Sequence, residues 1–121
     1  MIDMDDIVET AERIAQEFAP EQIILFGSYA YGCPTQDSDA DLLVVLPFEG
    51  DHVRKAVEIL ERVDPRFPVD LLVRTPAQLQ QRLEWNDFFM REIVEKGRVL
   101  YVAPDRRMDY QGRGRLDIGA A

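Results

Sequence analysis

Three short apolar runs decide most of what this chain can become. Residues 22–26 read QIILF, residues 39–46 read DADLLVVL and residues 67–73 read FPVDLLV. Each is too short for a typical helix and rich in aliphatic side chains, so each is expected to be a strand. The middle run turns continuously apolar after its two aspartates, the pattern of a strand buried on both faces. A fourth strand is expected at 98–102, RVLYV. Between these runs lie helical patterns. Residues 5–18 put Ile7, Ala11, Ile14, Ala15 and Phe18 on one stripe, and residues 51–63 do the same with Val53, Ala56, Val57 and Leu60. Residues 29–38 read as a helical turn and a loop. Thr75-Pro76-Ala77-Gln78 has the chemistry of a capped helix start, followed by Leu79 and Leu83. A last helix is expected over 86–96, with Phe89, Met90 and Ile93 inward and Gly97 at its end. The alternation predicts an α/β (α+β) domain, a small mixed sheet with helices packed on it.

Length and composition narrow the functional classes. A chain of 121 residues fits one domain, here expected over 1–103, followed by a polar, Gly-containing tail over 104–121 that reads as flexible. The single cysteine, Cys33, cannot close an internal disulfide, and no Cys/His cluster suits zinc. The N-terminus is acidic and amphipathic, unlike a secretory signal, and no apolar run approaches the ~20 residues that span a bilayer. A cytoplasmic protein with no membrane association is expected. The net charge of −9 argues against general nucleic-acid binding, which needs a basic footprint, but leaves room for a local basic pocket holding one nucleotide.

Three features carry chemistry. Gly27-Ser28 falls between an expected strand and an expected helical turn. Glycine there permits close approach of a ligand, and Ser28 could face a phosphate; taken alone, such a pair is more often a plain turn. Asp39-Ala40-Asp41 opens the second strand. Side chains at i and i+2 point the same way, so Asp39 and Asp41 would present two carboxylates with Cα atoms roughly 6.5–7 Å apart. Two such charges repel unless a cation lies between them, and hard oxygen donors suit Mg²⁺; a solvated strand end is the bland alternative. Asp70 sits inside an apolar strand, where an acid is costly unless paired or metal-bound. If that strand neighbours the one opened by Asp39, the three acids could hold two Mg²⁺ ions about 3.5–4 Å apart.

Competing motifs fail. Asp37, Asp39 and Asp41 imitate an EF-hand opening, but Leu42 and Phe48 stand where that loop needs glycine and glutamate. No phosphate-binding-loop lysine pattern and no G-x-G-x-x-G occur. His52, the single histidine, reads as a surface residue.

Phe26-Gly27-Ser28, ten residues, then Asp39-Ala40-Asp41-Leu42, with Asp70 in a later apolar strand, resembles the signature of the nucleotidyltransferase fold shared with DNA polymerase β. The resemblance covers about residues 7–102. The short length and the ending Gly97-Arg98-Val99-Leu100-Tyr101 look like the stand-alone minimal nucleotidyltransferases (MNT), which commonly act as antitoxins beside a HEPN ribonuclease toxin. The resemblance implies Mg²⁺-dependent transfer of AMP from ATP to a tyrosine hydroxyl of that partner. Gly27 and Ser28 would hold the triphosphate, Asp39 and Asp41 would bind Mg²⁺, and Asp70 would join them and help activate the acceptor. One departure stands out. Many relatives carry arginine where this chain has Tyr31, and a phenol brings no positive charge to a phosphate. Two other readings follow: a docking antitoxin without catalysis, and a transferase for a small molecule such as an aminoglycoside. The latter enzymes usually carry an additional substrate-binding domain, for which this chain has no room.

Overall fold

A computed structural model of the chain describes residues 1–104. The expected tail, apart from Pro104, lies outside the described residues. The elements are α1 Met4–Phe18, β1 Gln22–Phe26, α2 Ser28–Tyr31, β2 Ala40–Val45, α3 His52–Val63, β3 Val69–Arg74, α4 Pro76–Glu84, α5 Phe88–Lys96 and β4 Arg98–Val102. Their order is the one the hydrophobic periods predict. Local chemistry sets the helix starts. Asp3, Asp51 and Asp87 each accept from backbone N–H groups of the first turn of α1, α3 and α5, and Thr75 and Gln78 close the expected capping box on α4.

The strands form one mixed sheet in the order β3-β2-β1-β4. β1 runs antiparallel to β2 and β4, and β2 and β3 run parallel, with α3 as their crossover. The two-residue alternation divides the sheet into two faces. Ile23, Leu25, Leu42, Val44, Leu71 and Val73 belong to a core shared with Ile7 and Ile14 of α1 and Ile59 and Val63 of α3. Ile24, Phe26, Leu43 and Val45 belong to a smaller core with Leu79 of α4 and Met90 and Ile93 of α5. The odd-numbered side chains of β2 share this smaller core's face, so Asp41 stands at its rim.

Two details differ from the sequence expectation. The buried side of α3 is Ile59 and Val63, with Ala56 and Leu60 partly covered, whereas Val53 and Val57 are exposed. A stripe through 53 and 57 would leave Ile59 and Val63 in water, and burying the larger C-terminal set wins. Phe89 is not inside. Met90 and Ile93 take the sheet-facing positions, and Phe89 stays 54% exposed with its ring against the edge of Phe26, centroids 5.7 Å apart. Gly97 ends α5 as expected, with extended backbone (φ −68°, ψ 164°). A Cβ there would lie 2.3 Å from the Ile93 carbonyl oxygen and 2.5 Å from Ile24 Cγ2, so close packing onto β1 is what requires glycine.

Candidate active site

The acids meet where β1 ends and the parallel pair begins. Asp41 is the second residue of β2 and pairs in register with Phe26 on one side and Asp70 on the other. Its side chain and that of Asp70 line one pocket, together with Phe26, Gly27, Tyr31, Phe89, Glu92 and Ile93, around a cavity of about 310 Å³. Asp39 stands two residues before Asp41, just ahead of β2, and is exposed. Asp70 is exposed too. The sequence suggested a costly buried acid there, but β3 is the sheet edge and water reaches this carboxylate. Ser28 opens α2 beside the pocket without forming its wall.

Gly27 is the tightest point. Its backbone (φ 73°, ψ −159°) lies in a region that only glycine occupies comfortably. A Cβ there would sit 2.0 Å from Asp41 Oδ2. The main chain therefore passes directly against the central carboxylate, and its carbonyl then starts the single turn of α2 by accepting from Ala30 and Tyr31 N–H at 3.0 Å.

The electrostatics are those of crowded negative charge. Burial, then Asp70, then Asp39 push the Asp41 carboxyl up from 3.8 to about 6. Among the described residues, no lysine, arginine or histidine lines this pocket. Tyr31 occupies the wall beside Glu92, and burial, then the Glu92 charge, raise its phenol above the ordinary value. A group with this donor set and no organic cation to neutralise it fits a hard divalent ion. No three Asp, Glu, His or Cys side chains among the described residues already converge as a closed cage. Asp41 and Asp70 face one another, with Asp39 flanking them.

Comparison with known proteins identifies the family. Residues 7–102 match the family described as "Nucleotidyltransferase domain". The chain belongs to the nucleotidyltransferase domain family. It is 34% identical over 83 residues to a Methanocaldococcus jannaschii protein provisionally named a protein adenylyltransferase, covering 67% of this chain and 78% of that protein. It also resembles the crystal structure of a provisionally named nucleotidyltransferase from Sulfolobus solfataricus, with 26% identity, 64% of this chain, 71% of that chain and a TM-score of 0.53. A crystal structure of a toxin–antitoxin with AMP-PNP is a more distant likeness, at 20% identity, 82% of this chain, 76% of that chain and a TM-score of 0.47. Within this nucleotidyltransferase, sequence reasoning named Gly27, Asp41 and Asp70, which the fold brings into one pocket, and passed over Glu92. Residues 89, 92 and 93 fall on one helical face, and an acid on a face with two apolar residues was the available signal.

Proposed function

We propose that this nucleotidyltransferase transfers AMP from ATP to a tyrosine hydroxyl of a HEPN-type toxin and so serves as its antitoxin in the cytoplasm. The observation that carries the catalytic part is the in-register pairing of Asp41 with Asp70, with the Gly27 main chain against Asp41. Asp39, Asp41 and Asp70 would hold Mg²⁺, two ions by resemblance to the family. Bound there, the cation supplies neutralisation of the triphosphate charge and a lowered pKa of the attacking hydroxyl. The chain's own residues do the rest. Gly27 lets a phosphate approach the backbone, Ser28 offers a hydroxyl beside it, and Asp70 stands at the open sheet edge, where an acceptor from another protein has access. The protein acceptor is supported by the name of the M. jannaschii relative.

ATP labelled at the α-phosphate, Mg²⁺, the purified protein and the product of the neighbouring gene test this directly. Label on the neighbour's tyrosine, absent with Asp39→Asn/Asp41→Asn, is the expected result. A stable complex without label, still neutralising in the double variant, would establish the second reading, a docking antitoxin. Tyr31 in place of a cation, in a pocket whose described lining has none, is the observation that favours that reading.

A further inference from the structure

The acid pocket has a counterpart at the carboxyl ends of the parallel strands. His52, Arg74, Gln78, Gln81, Arg82 and Trp85 line a separate cavity of about 190 Å³ that shares no residue with the acid pocket. Arg74 ends β3, His52 opens α3 and Gln78 lies in the first turn of α4. In open α/β sheets, the carboxyl ends of parallel strands, with helix N-termini above them, are the usual place for anionic ligands.

Charge makes this cavity unusual. The chain carries a net charge of −9, yet among the described residues this lining contains two arginines, a histidine and no acid. Arg74 is partly buried and forms no ion pair with a carboxylate among the described residues. Its Nη1 lies 3.3 Å from His52 Nδ1 and donates to the Val73 carbonyl at 2.8 Å. Burial, then repulsion from Arg82, pull its pKa below the ordinary value, with Asp87 opposing. Asp87 borders the cavity through Arg82, with which it pairs at 3.3 Å while capping α5, and it makes no ion pair with Arg74, so Arg82 keeps further N–H donors for a ligand. A phosphate between the two guanidiniums would relieve the repulsion. Trp85, 67% exposed, offers a flat face at the same cavity, and Gln78 and Gln81 offer amides that both donate and accept.

We infer that this cavity binds a nucleoside monophosphate, with the phosphate between Arg74 and Arg82 and the base stacked on Trp85. A phosphate alone would leave the indole and the amides unused. A long nucleic acid would meet the acidic remainder of the surface, and a local cluster of this size neutralises one phosphate group. The inference does not depend on the reaction at the acid pocket.

Trp85 is the chain's single tryptophan, so its emission reports on this cavity directly. AMP, adenosine and inorganic phosphate are titrated into the full chain carrying Asp41→Asn, which keeps transfer chemistry out of the measurement. Emission is corrected for absorbance by the base, and calorimetry runs in parallel. AMP is expected to change Trp85 emission saturably, phosphate to compete, and adenosine to bind about tenfold more weakly or worse. Arg74→Gln is expected to weaken AMP by about tenfold while the far-ultraviolet dichroism stays unchanged, and Arg74→Lys, which keeps the charge, to recover part of the loss. Adenosine matching AMP, phosphate matching AMP, or a folded Arg74→Gln protein binding AMP as before would each overturn the inference.

Discussion

Replacing Asp41 by asparagine separates what this carboxylate costs the fold from what it gives the chemistry. Its pKa rises from 3.8 to about 6 on folding, by burial and by the charges of Asp70 and Asp39. Below the unfolded value both states hold the proton, and the group has no effect on stability. Between 3.8 and about 6 the unfolded chain releases its proton while the folded chain keeps it. Stability therefore falls as pH rises through this window, and the penalty is complete above it. Two pKa units correspond to a ceiling of about 3 kcal/mol. Asp41 is only partly buried and shares its charge with water, which brings the working figure to about 1–2 kcal/mol. Asp41→Asn is nearly isosteric, so it should stabilise the metal-free protein by about 1–2 kcal/mol at pH 8 and leave it unchanged near pH 3. For a domain of this size, 1 kcal/mol moves Tm by about 4–8 °C. Thermal unfolding in chelator at pH 3, 5 and 8, wild type against variant, reads this out. Adding Mg²⁺ at pH 8 should raise the wild-type Tm more than that of Asp41→Asn, because the charged form holds the ion more tightly. A variant no more stable than wild type at pH 8 would refute the claim that Asp41 is held charged against its surroundings.

Further predictions follow from the same geometry. Gly27→Ala forces a Cβ against Asp41 Oδ2 and a backbone region costing about 1–3 kcal/mol; urea unfolding should show at least that loss, and transfer activity should fall with it. Gly97→Ala carries no φ penalty but drives a methyl into the Ile93 carbonyl and Ile24, so chemical denaturation should show about 1–3 kcal/mol of destabilisation from overpacking. Tyr31→Arg brings a cation to a pocket wall that has none, and ATP affinity measured calorimetrically should tighten by about 1 kcal/mol, roughly fivefold in Kd; unchanged affinity would put residue 31 away from the phosphates.

Strands and helices were legible because each follows from a local period. QIILF and RVLYV became β1 and β4 at the expected residues, since short runs bounded by glycine or proline leave little choice of end. Pairing was not legible. That Asp70 faces Asp41 depends on how α3 returns the chain from β2 to β3, a long-range matter that no window of sequence contains. The cost expected for an acid at position 70 turns on the same long-range matter. An apolar strand with one acid looks central until its neighbours are known, and among the described residues β3 has one neighbour, β2. Val53 and Val57 were misplaced because α3 offers two overlapping apolar stripes, and only contact with β3 favours the one through Ile59 and Val63. His52 and Arg74 lie 22 residues apart and meet only when α3 and β3 are packed, so neither could mark the other.

The placement of charge bears on how so acidic a chain could handle an anionic substrate. Among the described residues, the acid pocket has Asp41, Asp70 and Glu92 in its wall and no cation, an arrangement that repels a free triphosphate. On the proposed function, substrate must arrive with its metal, and the carboxylates then act as a filter that rejects the uncomplexed nucleotide. An arginine at position 31 would blunt that filter by attracting phosphate regardless of metal, and Tyr31 beside Glu92 keeps it sharp at a cost in affinity. The dependence of rate on Mg²⁺ at fixed ATP distinguishes the two arrangements. Wild type should lose activity in step with the metal-free fraction of ATP, whereas Tyr31→Arg should be inhibited by excess free ATP, which it alone would bind. Equal inhibition of both proteins would mean that the acidic wall plays no part in selecting the complex.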